Sequence, residues 1–398
     1  MSGLLERIRT ASAQLHEQTV QCRRRLHADP ELSFQEKRTS GFIHSRLSEL
    51  GLEPVSMADT GVVAIIRGRK SGNRVVALRA DIDALPIEER NDVPYRSKNP
   101  GVMHACGHDV HTASLLATAT ILNGLTDEFG GTVKLIFQPG EEKNPGGASV
   151  MIREGVLEDP RPDVIIGQHV MPLMPVGTAG FREGMYMASS DEIRITVHGK
   201  GGHASTPDLN IDPVAIAAQI LVALQQVVSR SASPKQPTVL SFGKVTADGA
   251  TNVIPDQVFM AGTFRAMDEE WRARGLERIR SIATAIATGM GASCTVDVSP
   301  GYPCLKNDAD LVRRIRSSAA EFLGEPNVRD IDLTLGSEDF AWYSQHLPAA
   351  FYRIGTRNDA KGITAYVHTP DFDIDEDALR IAPGLMAWLA LRELGVNP

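Results

Sequence analysis

The chain has 398 residues, 42 % apolar and 23 % charged, with a formal net charge of −8. That is the composition of a soluble globular protein with room for two or three domains. An acidic balance and 5 % aromatic residues argue against nucleic-acid partners, which need a basic face and stacking surfaces. The longest unbroken aliphatic run, Val62-Val63-Ala64-Ile65-Ile66, is far short of the roughly 20 residues of a membrane span. No membrane association is expected, and without a signal-peptide core a cytoplasmic location is expected.

In chain order, a first helix is predicted from about Leu4 to Leu26. Ser33-Phe34-Gln35-Glu36 has the spacing of a capping box, so a second helix should run from there to Leu50, with Gly51 as its stop. Strands are predicted at 62–66 and 75–78, then a helix from about His108 to Leu122 and a strand from Thr132 to Phe137. A helix over 148–154 and a strand over 164–169 continue the alternation, which implies a mostly parallel sheet flanked by helices.

The pattern changes after about Tyr186. Strand 193–197, helix 213–229, strands 238–245 and 257–265, helix 269–289 and strand 293–298 give β-α-β-β-α-β, the ferredoxin-like order. The α/β pattern then resumes with helix 308–323, strand 350–354 and helix 376–394. The expected organisation is a discontinuous catalytic domain, 1–187 and 301–398, with an α+β lid or dimerisation domain inserted at 188–300.

Chemistry gathers at strand ends. His104, Cys106, His108 and His111 lie within eight residues at a loop-to-helix junction. Alone, that segment reads as readily as a solvated helix start with Asp109 serving the dipole. But Arg79-Ala80-Asp81-Ile82-Asp83, Gln138-Pro139-Gly140-Glu141-Glu142 and Gln168-His169 also end apolar strands, where open α/β sheets hold their sites. His368 is a further candidate. Mixed sulfur, nitrogen and oxygen donors suit first-row divalent ions. One Cys, three His and one or two Glu exceed the three ligands of a single catalytic zinc, so two ions sharing a water are expected. With Glu142 on a metal, Glu141 is free to act as general base. In the insert, Gly199 to Ser205 places His203 in Gly-rich backbone, and Asn252 and Arg265 add an amide and a guanidinium suited to a carboxylate. Of the four cysteines, Cys22, Cys294 and Cys304 have no chemical company and are expected to be buried fillers.

Together, these residues resemble the metal-dependent amidohydrolases that include hippurate hydrolase, N-acyl-amino-acid amidohydrolases and auxin-conjugate hydrolases, a branch of the aminoacylase and glutamate carboxypeptidase superfamily. The similarity runs from Arg25-Leu26-His27-Ala28-Asp29-Pro30 to the final helix. It is carried by Arg79 to Leu85, His104 to His111, Gln138 to Glu142, Gly199 to Ser205, Gly336-Ser337-Glu338-Asp339-Phe340 and His368-Thr369-Pro370. The resemblance implies metal ligands Cys106, His108, Glu142, His169 and His368, with Cys106 bridging two ions. The ions would be manganese or zinc, with cobalt and nickel as further candidates. It also implies Glu141 as base, Asp83 orienting a ligand, and His203 at the oxyanion. Asn252, Arg265 and Gly336 would bind an N-acyl amino acid, and the chain would form a homodimer or a dimer of dimers. Other branches carry His-x-Asp where this chain has Asp81-Ile82-Asp83, which leaves open whether Asp81 meets metal. A dipeptidase, a carbamoyl amidohydrolase and a degenerate ligand-binding module are the alternatives.

Overall fold

The computed structural model describes residues 3–397. Helix α1 (Leu4–Ala28) and helix α2 (Lys37–Glu49) precede strands β1 (Val55–Met57), β2 (Gly61–Arg67) and β3 (Lys70–Asp81). Then come α3 (His108–Asn123), β4 (Gly130–Gln138), α4 (Gly147–Arg153), β5 (Val164–Pro175), β6 (Ala179–Phe181) and β7 (Gly184–Met187). A second compact unit, residues 185–305 and 333–338, follows. It holds β8 (Asp191–His198), β9 (Gly202–His203), α5 (Pro213–Gln226), β10 (Thr238–Thr246), β11 (Val253–Ile254), β12 (Gln257–Ala266), α6 (Glu269–Gly289) and β13 (Ser293–Pro300). Through β14 (Leu305–Asn307) the chain returns to the first unit with α7 (Ala309–Leu323), β15 (Val328–Asp330), α8 (Ala341–Ser344), β16 (Ala349–Arg357) and α9 (Ala378–Glu393).

The first unit is built on an eight-stranded sheet in the order β1-β2-β4-β3-β5-β16-β6-β15. Its central strands β4, β3, β5 and β16 are parallel, so their carboxyl ends share one edge. The buried stretches 75–78 of β3, 135–137 of β4 and 164–166 of β5 read as continuous apolar runs because both faces are covered there. Helix α3 is buried along almost its whole length and packs against α1 and α9. Such a helix cannot show a polar stripe, and its residues up to Leu122 are mostly Ala, Leu, Thr and Val.

The second unit has a four-stranded antiparallel sheet, β10-β12-β8-β13, the ferredoxin-like arrangement. Ile193, Ile195 and Val197 alternate inward from β8 onto Ile216, Ile220 and Leu224 of α5. Helix α5 continues through a π-helical turn to Ser231. That segment, Pro213–Ser231, is 19 residues long, apolar overall and mostly not buried within the protein. By length and composition alone it passes for a membrane span, contrary to the expectation from unbroken aliphatic runs. Gln219, Gln225 and Gln226 interrupt the run without making the segment polar.

The capping box is a second correction. Helix α2 starts at Lys37 without a side-chain cap. Ser33 Oγ instead donates to Asp83 Oδ2 at 2.7 Å, and Glu36 accepts from Thr60 Oγ1 at 2.6 Å and from the Gly140 amide at 2.8 Å. A third concerns the spare cysteines, of which only Cys304 is buried while Cys22 and Cys294 are half-buried.

Candidate metal centre

Two loops, the carboxyl end of β4 and strand β5 bring the expected ligands together in the first unit. Gly107 caps α3 with φ +82°, and a Cβ there would lie 2.6 Å from Val170 Cγ2. Only glycine allows both the left-handed turn and that approach, which presents Cys106 and His108 beside His169 in the middle of β5, a strand that runs on past the His169 end expected from sequence. His368 itself takes φ +62°, a conformation that costs a β-carbon-bearing residue of order 1 kcal/mol or more, and its amide donates to Ala105 O at 2.7 Å. The strained backbone turns the imidazole so that Nε2 lies 3.3 Å from Cys106 Sγ.

Cys106 Sγ is also 3.4 Å from His169 Nε2. It belongs to two triads, Cys106–His108–His169 and Cys106–Glu142–His368, each with its ligand atoms within 4.8 Å of one another. Hydrogen bonds fix the tautomers. His169 Nδ1 must carry its proton, because its partner at 2.8 Å is the carbonyl of Val170. His108 Nδ1 points at Asp83 Oδ1 at 3.1 Å. In the neutral form of each ring Nε2 is thereby left with its lone pair, the arrangement of carboxylate- or carbonyl-backed metal histidines. Burial opposes a charge on His108, but Asp81, Asp83 and Cys106 hold its pKa well above the ordinary imidazole range, so its neutral form needs a cation at Nε2.

The donor set fits divalent ions on its own evidence. His108 Nε2 is buried and has no hydrogen-bond partner among the described residues, and Glu142 Oε1 faces the ring nitrogens of His368 and His108 at 3.1 and 3.9 Å. An unpartnered buried nitrogen is costly unless something is bound to it. The Cys106 thiol and Glu142 together push the His368 pKa up to about 10, so that without a metal a proton holds these groups together. Burial and Glu142 push the Cys106 thiol up as well, so a thiolate there requires an adjacent cation. Burial, then Arg353, drives His169 far toward the neutral form that ligates.

Asp83 organises this cluster. Its carboxylate takes the His108 ring proton, the Ser33 hydroxyl and, at 3.0 Å, the Glu142 amide. Burial opposes its ionisation, but His108 and these donors hold its pKa below the usual carboxylate range. Asp81 is engaged elsewhere. Its oxygens take Arg79 Nη1 at 2.6 Å and His111 Nδ1 at 2.5 Å. His111 Nε2 accepts the Val170 amide at 2.9 Å, so neither nitrogen of that ring is free. In the Asp81–His108–His111 grouping, Asp81 and His111 are therefore already engaged by protein contacts, which leaves His108 Nε2 to the Cys106 side. His104 lies outside α3, buried, with both ring nitrogens unpartnered among the described residues.

Glu141, buried, accepts the Asp339 amide at 3.3 Å. Gly140 precedes it at φ +60°, where a Cβ would strike the Phe34 ring at 2.4 Å. Glu36 and Ser33, which hold this loop and Asp83, are the residues the sequence reading assigned to a helix cap. Their spacing alone could not have told the two uses apart.

The other expected site residues belong to the second unit and form two pairs. His203 and Asn252 meet through the short β9–β11 ladder, with the Ala204 amide donating to Asn252 O at 3.1 Å. His203 is exposed, and its Nδ1 accepts the Ser205 amide at 3.1 Å. An N–H can only donate, so the neutral ring keeps its proton on Nε2. Arg265 Nη1 donates to Leu335 O at 2.9 Å, beside exposed Gly336.

The family model described as Peptidase family M20/M25/M40 matches residues 77–392. The chain is 43 % identical to an N-acetylcysteine deacetylase of Bacillus subtilis (strain 168), over 96 % of this chain and 98 % of that protein. It is 39 % identical to thermostable carboxypeptidase 2 of Saccharolobus solfataricus, over 98 % of both. A solved Bacillus subtilis structure, described as a dinuclear metal binding peptidase, superposes with a TM-score of 0.84 at 40 % identity, covering 96 % of this chain and 99 % of that one.

Proposed function

The chain belongs to peptidase family M20/M25/M40, and from that premise we propose that it is a dinuclear-metal amidohydrolase cleaving N-acyl amino acids, hippurate-like substrates among them, to a carboxylic acid and a free amino acid. The observation that carries the reading is the sharing of Cys106 by two otherwise separate ligand triads, backed by the unpartnered His108 Nε2. Cys106, His108 and His169 would hold one ion and Cys106, Glu142 and His368 the other. Two triads that share Cys106 would suit a pair of ions held by these five residues. Sulfur favours zinc by softness, while manganese remains open for the oxygen- and nitrogen-rich side.

When bound, the pair of ions supplies Lewis acidity to the amide carbonyl and to a water. The rest falls to side chains. Glu141, next to a ligand and held by the Asp339 amide, takes the proton from water and returns it to the leaving nitrogen. Asp83 keeps His108 in the ligating tautomer. His203 would donate its Nε2–H to the developing oxyanion, a contribution of roughly 3–4 kcal/mol in comparable sites. Asn252, Arg265 and the backbone at Gly336 would bind the substrate, with Arg265 taking its carboxylate. Residues 185–305 would serve as lid and dimerisation unit. Exposed Val214 and Val222 on α5, and Val245 on the edge strand β10, support a homodimer there. The N-acetylcysteine deacetylase relative supports acyl-amino-acid cleavage, and the carboxypeptidase relative keeps peptide cleavage as the second reading.

The test is a panel of N-acyl amino acids and dipeptides assayed with wild-type protein and Glu141→Gln. The reading expects release of free amino acid, at least about 100-fold slower in the variant with metal content unchanged. Near-normal turnover in the variant, or hydrolysis of dipeptides alone, would refute it.

A further inference from the structure

Asp339 is fully buried, as are Arg79 and Gln138. Its carboxylate is gripped from three elements. Arg79 Nη2 on β3 donates to Oδ1 at 2.8 Å, Gln138 Nε2 at the end of β4 reaches both oxygens at 2.8 and 2.7 Å, and the Ala148 amide in α4 donates to Oδ2 at 3.0 Å. Arg79 is itself fixed, Nε to Gln138 Oε1 at 2.9 Å and Nη1 to Asp81 Oδ2 at 2.6 Å. A buried ion pair of this kind is weak evidence for stability, because an apolar cluster of equal volume serves as well or better. What the cluster achieves is geometric. Asp339 is 198 residues from Glu141, yet its own amide N–H donates to Glu141 Oε1. The backbone on either side of Glu141 is pinned separately, Gly140 by Glu36 and Glu142 by Asp83. Neither of those bonds orients the Glu141 carboxylate, whereas the Asp339 amide does.

We propose that Asp339, clamped by Arg79 and Gln138, is a positioning residue that aims the Glu141 carboxylate for proton transfer. The inference rests on the reading of Glu141 as general base. In Asp339→Asn one carboxylate oxygen becomes an NH2 group. The four hydrogen bonds described above are all donated to that carboxylate, so the new group meets Arg79, Gln138 or the Ala148 amide donor to donor. Gln138 cannot flip to relieve this without losing Arg79 Nε. The side chain and its amide must shift, and a displacement of that order costs a reacting group roughly 10- to 100-fold.

The experiment is a double-mutant cycle in single-turnover mode, with Glu141→Gln, Asp339→Asn and the double variant, each checked for metal content and melting temperature. Asp339→Asn should lose roughly 10- to 100-fold in kcat, with KM within about threefold and metal content unchanged. In the Glu141→Gln background the same change should cost less than about twofold, because a residue acting through Glu141 has nothing left to position. Losses that multiply in the double variant, or an unchanged kcat in Asp339→Asn, would overturn the inference while leaving Glu141 as base. Near-wild-type turnover in Glu141→Gln would overturn the base assignment and this inference with it. If Asp339→Asn does not fold, Gln138→Met carries the same cycle. It removes the contacts to both Asp339 oxygens and must show the same dependence on Glu141.

Discussion

Replacing Asp83 with Asn changes one atom and reaches both halves of the metal centre. The carboxylate accepts three hydrogen bonds, from Ser33 Oγ at 2.7 Å, the Glu142 amide at 3.0 Å and His108 Nδ1 at 3.1 Å. A carboxamide has one accepting oxygen. If it keeps Ser33 and the Glu142 amide, its NH2 faces His108, whose proton must move to Nε2. That is the nitrogen expected to meet metal, so the ligating lone pair is lost in the favoured tautomer. Outer contacts of this kind change metal affinity by about 10- to 100-fold, or roughly 1.4–2.8 kcal/mol. Chelator competition on stripped protein would resolve the two dissociation constants. The ion expected on Cys106, His108 and His169 should weaken by that factor, and more than the ion on Cys106, Glu142 and His368. Two unchanged constants in a folded Asp83→Asn protein would refute the tautomer argument.

Three further outcomes are expected. Cys106→Ser should bind fewer ions per chain than wild type by elemental analysis, because a hydroxyl bridges poorly where a thiolate would; wild-type stoichiometry would remove Cys106 from the ligand set. His203→Ala should keep its metal and lose kcat more than it gains KM, and mixing it with Glu141→Gln should recover activity in hybrid dimers if His203 serves a partner chain. His27, buried between Asp109 Oδ2 at 2.8 Å and Glu89 Oε1 at 3.2 Å, should show a pH-dependent stability effect. Burial and Arg23 oppose its protonation, but the two carboxylates outweigh them and its pKa is raised. The stabilisation is therefore complete below the unfolded value near 6.5 and lost as pH rises through the folded value. The melting-temperature gap between wild type and His27→Gln should be widest at pH 6 and shrink as pH rises above it, and a gap that widens with pH would contradict the assignment.

The α/β alternation and the ferredoxin-like order were legible because each rests on periodicity. Helix α6 runs from Glu269 to Gly289 as the pattern indicates, with Asp268 accepting the Trp271 amide as its cap. The strands missed, β1, β6, β7, β9, β11, β14 and β15, are two to four residues each, too short to show a period. The metal donors were legible by residue type at strand ends. Their supports were not legible by residue type, since a carboxylate that orients a histidine looks in sequence like any loop acid, and Asp83 was expected in that role only through the family resemblance. Asp81 illustrates this, with a motif position that invites a metal role and a structure that gives it to Arg79 and His111. Arg79 and Asp339 lie 260 residues apart, and no local spacing signals their pairing.

The most direct test of the central claim is to strip the protein with chelator and follow hydrolysis of an N-acyl amino acid as manganese or zinc is added back in measured equivalents. Activity should be absent in the stripped protein and climb to a plateau at two ions per chain. A plateau at one ion, or full activity without any, would contradict a two-metal amidohydrolase.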